Sequence, residues 1–382
     1  MSHYMAMKDT RQLSRRRFIN TIGMAGLALP IWGLAENTVL SDLKQTSMDQ
    51  PKKLGIALVG LGAYATGQLG PALLETNNCQ LKGIVTGSPS KIPAWKAKYK
   101  LPDTHIYSYD NFDQIKDNPD IDIIYIVLPN SMHAEYTIRA FGAGKHVICE
   151  KPMAITVADC DRMIEASKKA NKSLSIGYRL HFEPYNLEMA RLGTSKKYGR
   201  IEHISGGFGF KAAPNQWRLQ KQYAGGGPLM DLGIYAVQGM CYTTGMEPIA
   251  VSAQEGKKTD LTRFSEVEQS LSWQFEFPDG LIGKGFASYD DNMNFLKAEA
   301  EKGVFELTTA YNYNGLSGKT HEGMMRFPQV NQQAKQMDAI AQSILNNQPS
   351  IVTGEMGRRD VKYLQAIYQA MRTGERVLLD KG

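Results

Sequence analysis

Lys151 stands between a carboxylate and a proline, in Glu150-Lys151-Pro152, directly after the apolar run Lys145–Cys149. A lysine at a strand end can hold a substrate hydroxyl and stabilise a developing alkoxide. Its charge can also lower a neighbour's pKa. The plainer reading is a surface salt bridge between Glu150 and Lys151. Further along runs Gly225-Gly226-Gly227-Pro228-Leu229-Met230-Asp231-Leu232-Gly233-Ile234-Tyr235. Pro228 suits the first turn of a helix, and Asp231 and Tyr235, four apart, share one helix face. The three glycines before it let something flat or bulky approach the backbone. A carboxylate and a phenol side by side, facing a lysine, make a proton-transfer set; the alternative is a capping aspartate and a core tyrosine. Upstream lie Tyr178-Arg179-Leu180-His181 and Gln216-Trp217-Arg218. Trp217 and Arg218 suit stacking on a cofactor or sugar, or equally an interface pair.

These residues need a scaffold, and Leu54–Leu69 begins it. Leu54–Val59 reads as a short buried strand, and Gly60, Gly62 and Ala65 follow as G-x-G-x-x-A, opening a helix toward Leu74. The first glycine makes the tight turn, the second lets a pyrophosphate reach the backbone, and the third small residue lets helix and strand pack closely. The helix N-terminus offers free N–H groups to the phosphates. Gln80–Thr86 reads as the second strand, ending in Thr86-Gly87-Ser88-Pro89-Ser90-Lys91, with no Asp or Glu between Glu75 and Asp103. Thr86, Ser88 and Lys91 suit a ribose 2′-phosphate, which a carboxylate would repel, so NADP is favoured over NAD. The strand Ile121–Leu128 is apolar throughout, as one buried on both faces should be. It leads into Pro129-Asn130-Ser131-Met132-His133 and a helix to Ala143. A helix Val157–Ala170 and a strand Ser173–Gly177 follow. This alternation predicts an α/β, doubly wound parallel sheet. Ligands bind beyond the carboxyl ends of such strands; Gly60–Tyr64, Thr86–Lys91, Pro129, His133, Glu150 and Lys151 all fall there.

After residue 178 the pattern becomes strands at Arg200–Phe210, Ile249–Gln254, Val267–Phe277, Leu281–Ser288, Phe295–Ala300 and Val304–Thr309, with a hairpin turn at Pro278-Asp279-Gly280. This second half is α+β with a mainly antiparallel sheet. It ends in two amphipathic helices, Asn331–Leu345 and Gly357–Arg372, expected to pack back on the first half. The domains are therefore 54–177 and 178–382. Ahead of them, Ser14-Arg15-Arg16-Arg17-Phe18-Ile19 and the apolar run Thr21–Leu34 read as a Tat export signal over 1–35, with Gly33-Leu34-Ala35 as a cleavage site. A short arm, 36–53, follows. The run is too short and glycine-rich to anchor in a membrane. Part of the net charge of +6 sits in that leader, so no nucleic-acid footprint is read from it. The four cysteines lack metal spacing and read as free buried thiols; the seven histidines form no metal cluster. Export of a nucleotide-binding fold to the periplasm, where free dinucleotide is scarce, implies a cofactor recycled in place.

In order, G-L-G-x-Y-A at 60–65, L-P-N-S-x-H-A-E at 128–135, C-E-K-P-M-A at 149–154, G-Y-R-x-H at 177–181, Q-W-R-L at 216–219 and G-G-G-x-L-M-D-x-G-I-Y at 225–235 resemble the Gfo/Idh/MocA oxidoreductases. The tyrosine at 235, where most relatives carry histidine, resembles that family's glucose–fructose branch. The resemblance implies an N-terminal Rossmann domain and an open sheet used for homo-oligomerisation, as dimer or tetramer. It also implies a tightly held NADP that shuttles hydride between two small-molecule sugars. An aldose would become a lactone, and a ketose or second aldose an alditol. Lys151 and Tyr235 would handle the proton, and Asp231 would orient the sugar. Gly62, Ala63, Tyr64, Ser88, Lys91, Leu128, Asn130, His133, Glu150, Lys151, Arg179, Trp217 and Arg218 would line the dinucleotide. The arm, with Pro51 its one proline, is shorter than the proline-rich arm that covers a neighbour's cofactor in that branch. Other readings of the set are an NADP-dependent sugar dehydrogenase with exchangeable cofactor, an NAD-dependent glycosidase, and a non-catalytic binder. The retained Lys151, Asp231 and Tyr235 argue against the binder.

Overall fold

Six apolar segments, each beginning or ending near a turn, pair side by side without a break. They are β1 (Leu54–Val59), β2 (Cys79–Val85), β3 (Ile106–Tyr107), β4 (Ile123–Ile126), β5 (His146–Cys149) and β6 (Leu174–Ile176). The computed structural model describes residues 53–379, so the export signal and nearly all of the arm lie outside the described residues. The sheet order is β3-β2-β1-β4-β5-β6, and every pair is parallel. The order reverses beside β1, which puts a crevice beyond the carboxyl ends of β1 and β4. β1 and β4 are buried along their whole length, as strands covered on both faces must be. The β6 edge does not stay open: Ile176 N–H donates to the Val352 carbonyl at 2.8 Å.

The helices between these strands have local causes. Thr156 accepts from the Asp159 N–H at 3.1 Å and starts the helix Val157–Ala170, and Asn171, with φ 51°, ends it. The helix after the glycine turn differs from expectation. It is helical over 63–72, but Ala65–Leu69 is a π turn, and it stops before Leu74. Pro71 removes one helical N–H donor from this short segment.

The second half is built on β7 (Ile201–Gly209), β8 (Ala250–Glu255), β9 (Ser270–Glu276), β10 (Ile282–Ser288), β11 (Met293–Ala300), β12 (Gly303–Thr309), β13 (Ser317–Thr320), β14 (Gly323–Met324) and β15 (Val377–Leu378). Their order is β14-β13-β12-β11-β7-β10-β9-β8-β15. Seven of the pairings are antiparallel, but β7 and β10 run parallel, with Gly206 opposite Gly285. The sheet is mixed because β7 inserts between β10 and β11. The turn at Pro278-Asp279-Gly280 joins β9 to β10 as expected, with Asp279 at φ 66°. The helix Ile234–Thr244 packs on β7, β10 and β11. Gly285 lies against Trp273 and Gly283 against Phe277 and Met240, so odd positions of β10 face that helix. Ile282, Lys284 and Phe286 therefore face outward. Both C-terminal helices return to the first half. Gln332–Leu345 packs on β2, and Gly354–Thr373 packs on the Val157–Ala170 helix and β6. Buried apolar side chains of both sheets join in one continuous core. All four cysteines are buried and free.

Candidate active site

Lys151 lies just past β5, where the chain turns through a cis Lys151–Pro152 peptide. Its ammonium crosses to the second half. It donates to the Asp231 carbonyl at 2.7 Å and to Asp231 Oδ1 at 3.3 Å. Asp231 Oδ2 accepts from the Tyr289 hydroxyl at 3.1 Å and faces Arg218 Nε at 3.2 Å. Burial alone would push this carboxyl up. Arg218 and then Lys151, with the hydrogen bonds of Lys151 and Tyr289, outweigh burial and hold it at about 2. Asp231 is therefore an anion at neutral pH, in a site where the lysine side chain is only 11% exposed and its own 17%.

Tyr235 follows one turn later. The helix that carries both residues opens with a π turn, Leu229–Gly233, before continuing as Ile234–Thr244. Such turns recur at functional sites because they widen the backbone at one point. Lys151 Nζ sits 4.6 Å from the centre of the Tyr235 ring and the Arg179 guanidinium 5.1 Å from it. Positive charge thus flanks any oxygen that gains negative charge beside the phenol. Phe208 and Tyr311 back the ring at 5.6 and 5.9 Å. Tyr313 and Tyr64 stack at 5.7 Å to form the adjoining wall.

The dinucleotide crevice has the features its chemistry requires. Gly60 adopts φ +95°, and a Cβ there would come 2.6 Å from the Val127 carbonyl, so only glycine makes this turn. At Gly62 the Cβ position faces open space, leaving the backbone free to receive a phosphate. Ala63 is exposed and Tyr64 half-buried beside it, and Leu128 closes under Gly60 with Pro129 next to it. Thr86 Oγ1 accepts from the Ser88 N–H at 3.0 Å and shapes the turn after β2. Lys91 donates to the Leu61 carbonyl at 2.7 Å, so its ammonium stands over the glycine loop. No carboxylate stands in that turn to repel a 2′-phosphate. Trp217 and Arg218 stack on each other at 4.5 Å, half-exposed at the mouth.

Four residues expected to line the dinucleotide also make hydrogen bonds within the protein. His133 is buried with Nδ1 2.9 Å from the Pro152 carbonyl and Nε2 2.9 Å from the Leu128 carbonyl, so it ties two strand ends together and has no nitrogen left for a ligand. The Asn130 amide donates to the Ala224 carbonyl at 2.8 Å. Glu150 accepts from the Tyr125 hydroxyl at 2.7 Å and from the Lys151 N–H at 3.2 Å, and burial pushes its carboxyl up. Arg179 donates to the Asn312 carbonyl at 3.1 Å and to Gln332 and the Tyr311 carbonyl, and stacks between Tyr235 and Tyr313. It braces the tyrosines. The glycine run also has a different cause. A Cβ at Gly225 would meet Ile155, at Gly226 the Tyr368 hydroxyl, and at Gly227 the Glu268 carbonyl. The run is needed by the protein's own packing. Tyr289, Tyr313, Glu268 and Tyr368 carried no local signal in the sequence. Among the described residues no cluster of His, Cys, Asp and Glu could hold a metal, and no helix is long and apolar enough to cross a membrane.

A parallel sheet with a glycine turn at its switch point, joined to a lysine–aspartate–tyrosine set on the same crevice, defines a dinucleotide-dependent oxidoreductase. Residues 54–178 match the model of the oxidoreductase family with the NAD-binding Rossmann fold, and residues 186–304 match the GFO/IDH/MocA C-terminal domain. The chain belongs to the Gfo/Idh/MocA family. It is 40% identical to an aldose-aldose oxidoreductase from Caulobacter crescentus whose crystal structure holds glycerol, with a TM-score of 0.83 over 86% of this chain and 100% of that one. It is 26% identical to the NADP(+) D-xylose 1-dehydrogenase of Haloarcula marismortui over 88% of this chain and 96% of that protein. It is 25% identical to the D-glucoside 3-dehydrogenase of Escherichia coli over 85% and 97%.

Proposed function

We propose that this sugar oxidoreductase is exported, keeps NADP bound, oxidises an aldose at C1 to its lactone and reduces a second sugar to an alditol in a two-step cycle. The observation that carries the reading is Tyr235 with Lys151 and Arg179 against its ring and Asp231 held ionised beside it. Gly60, Gly62, Thr86, Ser88 and Lys91 would hold the dinucleotide. NADP, when bound, supplies two-electron acceptor and donor chemistry at its nicotinamide ring. Lys151 donates to the anomeric oxygen and stabilises the charge that develops there, while Tyr235, as its phenolate, takes the hydroxyl proton. Asp231 accepts from a neighbouring hydroxyl and fixes the sugar's orientation. With the second sugar Tyr235 returns that proton to the carbonyl oxygen, again beside the Lys151 ammonium, which leaves the protein in its starting state. The 40% identical aldose-aldose oxidoreductase supports two sugars as substrates. The twin-arginine leader supports the periplasm, where recycling replaces a free cofactor pool. The outward Ile282, Lys284 and Phe286 of β10 support a homo-oligomer formed through the second sheet.

A second reading, a dehydrogenase with exchangeable NADP, is favoured by the likeness to the D-xylose 1-dehydrogenase. One experiment separates them. The protein is purified without nucleotide, denatured, and the released nucleotide identified; native protein is then given glucose and, afterwards, fructose or a second aldose. Stoichiometric NADP and a nicotinamide absorbance that rises and then falls support the closed cycle. Activity only on added NADP assigns the dehydrogenase.

A further inference from the structure

The turn that presents Asp231 begins at three glycines, and a buried carboxylate lies under it. Glu268, two residues ahead of β9, is 4% exposed. Its Oε2 accepts from the Gly227 N–H at 3.0 Å, and its Oε1 accepts from the Leu229 N–H at 3.1 Å and the Tyr368 hydroxyl at 2.8 Å. Among the described residues no salt bridge is made to it; burial pushes its carboxyl up, and the Tyr368 hydroxyl, its own N–H and the Leu229 and Gly227 N–H groups oppose that. The last two belong to the backbone that opens the π turn Leu229–Gly233, whose third residue is Asp231. The Tyr368 hydroxyl comes from the helix Gly354–Thr373, which also packs on the parallel sheet's flank. Gly226 and Gly227 have no room for a Cβ because Tyr368 and Glu268 already occupy it. The clamp and the glycine run are therefore one device.

We infer that Glu268, with Tyr368, is a positioning residue that sets the depth and direction of the Asp231 turn, and so the meeting of Asp231 with Lys151, Arg218 and Tyr289. This rests on the reading of Asp231 and Tyr235 as the sugar-handling set. A carboxylate suits the position because each of its oxygens accepts. A glutamine in its place would turn one NH2 group toward a backbone N–H, and two donors cannot pair.

The test is Glu268→Gln, with Tyr368→Phe beside it in case the first does not fold. The Asp231 carboxyl is followed by carbon NMR of protein labelled at aspartate, assigned by its loss in Asp231→Asn. This readout does not depend on any sugar being a substrate. Its titration midpoint is expected to rise from about 2 in Glu268→Gln, as the cations lose contact, and to rise less in Tyr368→Phe. On whichever sugar the wild type oxidises, kcat is expected to fall tenfold or more in Glu268→Gln, with retained NADP and sugar KM within about twofold. A midpoint that stays in place in the folded variants overturns the inference whether or not glucose is the substrate. So does an equal loss of bound NADP. A wild type inert toward sugars, with the midpoint still moving, would leave the clamp standing and remove only the substrate reading.

Discussion

Tyr235 is flanked by Lys151 from the end of β5 and Arg179 from beyond β6, and it is the group whose removal should be most specific. Tyr235→Phe keeps the ring, its stacking and both cations, and loses only the hydroxyl. General acid–base groups contribute on the order of 10² to 10⁴ in rate, so turnover should fall by at least about a hundredfold while bound nucleotide stays stoichiometric. Steady-state kcat and the nucleotide released on denaturation check this together. Asp231 leads to a second expectation. Its carboxyl is depressed to about 2, so it keeps its charge until the pH falls through that value, and kcat/KM should show no acid limb from Asp231 between pH 4 and neutrality. Arg218→Met removes the leading cation, and the limb should then move up toward the ordinary 3.8. Lys151, Asp231 and Tyr235 were legible in the sequence because motif and spacing mark them. Arg179 and His133 were legible as residues, but their protein partners, Gln332 and the Leu128 and Pro152 carbonyls, were not, because the tertiary fold fixes them.

At the scale of elements, strands announced themselves best. A short, β-branched apolar run bounded by turn residues favours a strand, and β1, β2, β5, β7 and β10 lie within a residue or two of the expected runs. The π turns at 65–69 and 229–233 were not legible, since one turn of apolar spacing does not separate an i→i+4 from an i→i+5 bond. The parallel pairing of β7 with β10 was hidden for another reason: it joins segments separated by β8 and β9, and no local pattern records it. The glycine run was legible as a need for small residues, but the sequence cannot say what presses on them. Gly226→Ala puts a methyl into the Tyr368 hydroxyl. Overpacking of this kind costs roughly 1–3 kcal/mol. The melting temperature should drop, and turnover should drop with it, because the displaced turn carries Asp231. Gly374→Ala, with nothing within 4 Å but φ +69°, gives a control for backbone strain away from the site.

For the whole molecule, two histidines contribute a pH dependence of stability. His146 Nδ1 accepts from the Ser173 N–H at 3.1 Å, which requires the neutral ring; burial, then Lys172, lowers its pKa to about 4. Burial, helped by Arg359 and opposed by Asp360, lowers His181 to about 4 as well. In the unfolded chain both return to about 6.5, so between 6.5 and 4 the unfolded state binds protons that the folded state refuses. The contribution of these two histidines to stability should therefore rise with pH across that window. Melting temperatures measured from pH 7 to 4 check this: relative to wild type, His146→Asn should lose less stability as the pH falls.

Lys151 and Asp231 meet although one belongs to the parallel sheet and the other to the helix on the second sheet. Neither half, inherited alone, carries both Lys151 and the Asp231–Tyr235 turn it meets. A crossover between related genes that falls near residue 190 would unite a lysine from one parent with an aspartate and tyrosine from another. Such hybrids should stay active only where the parents agree on the distance between the two halves.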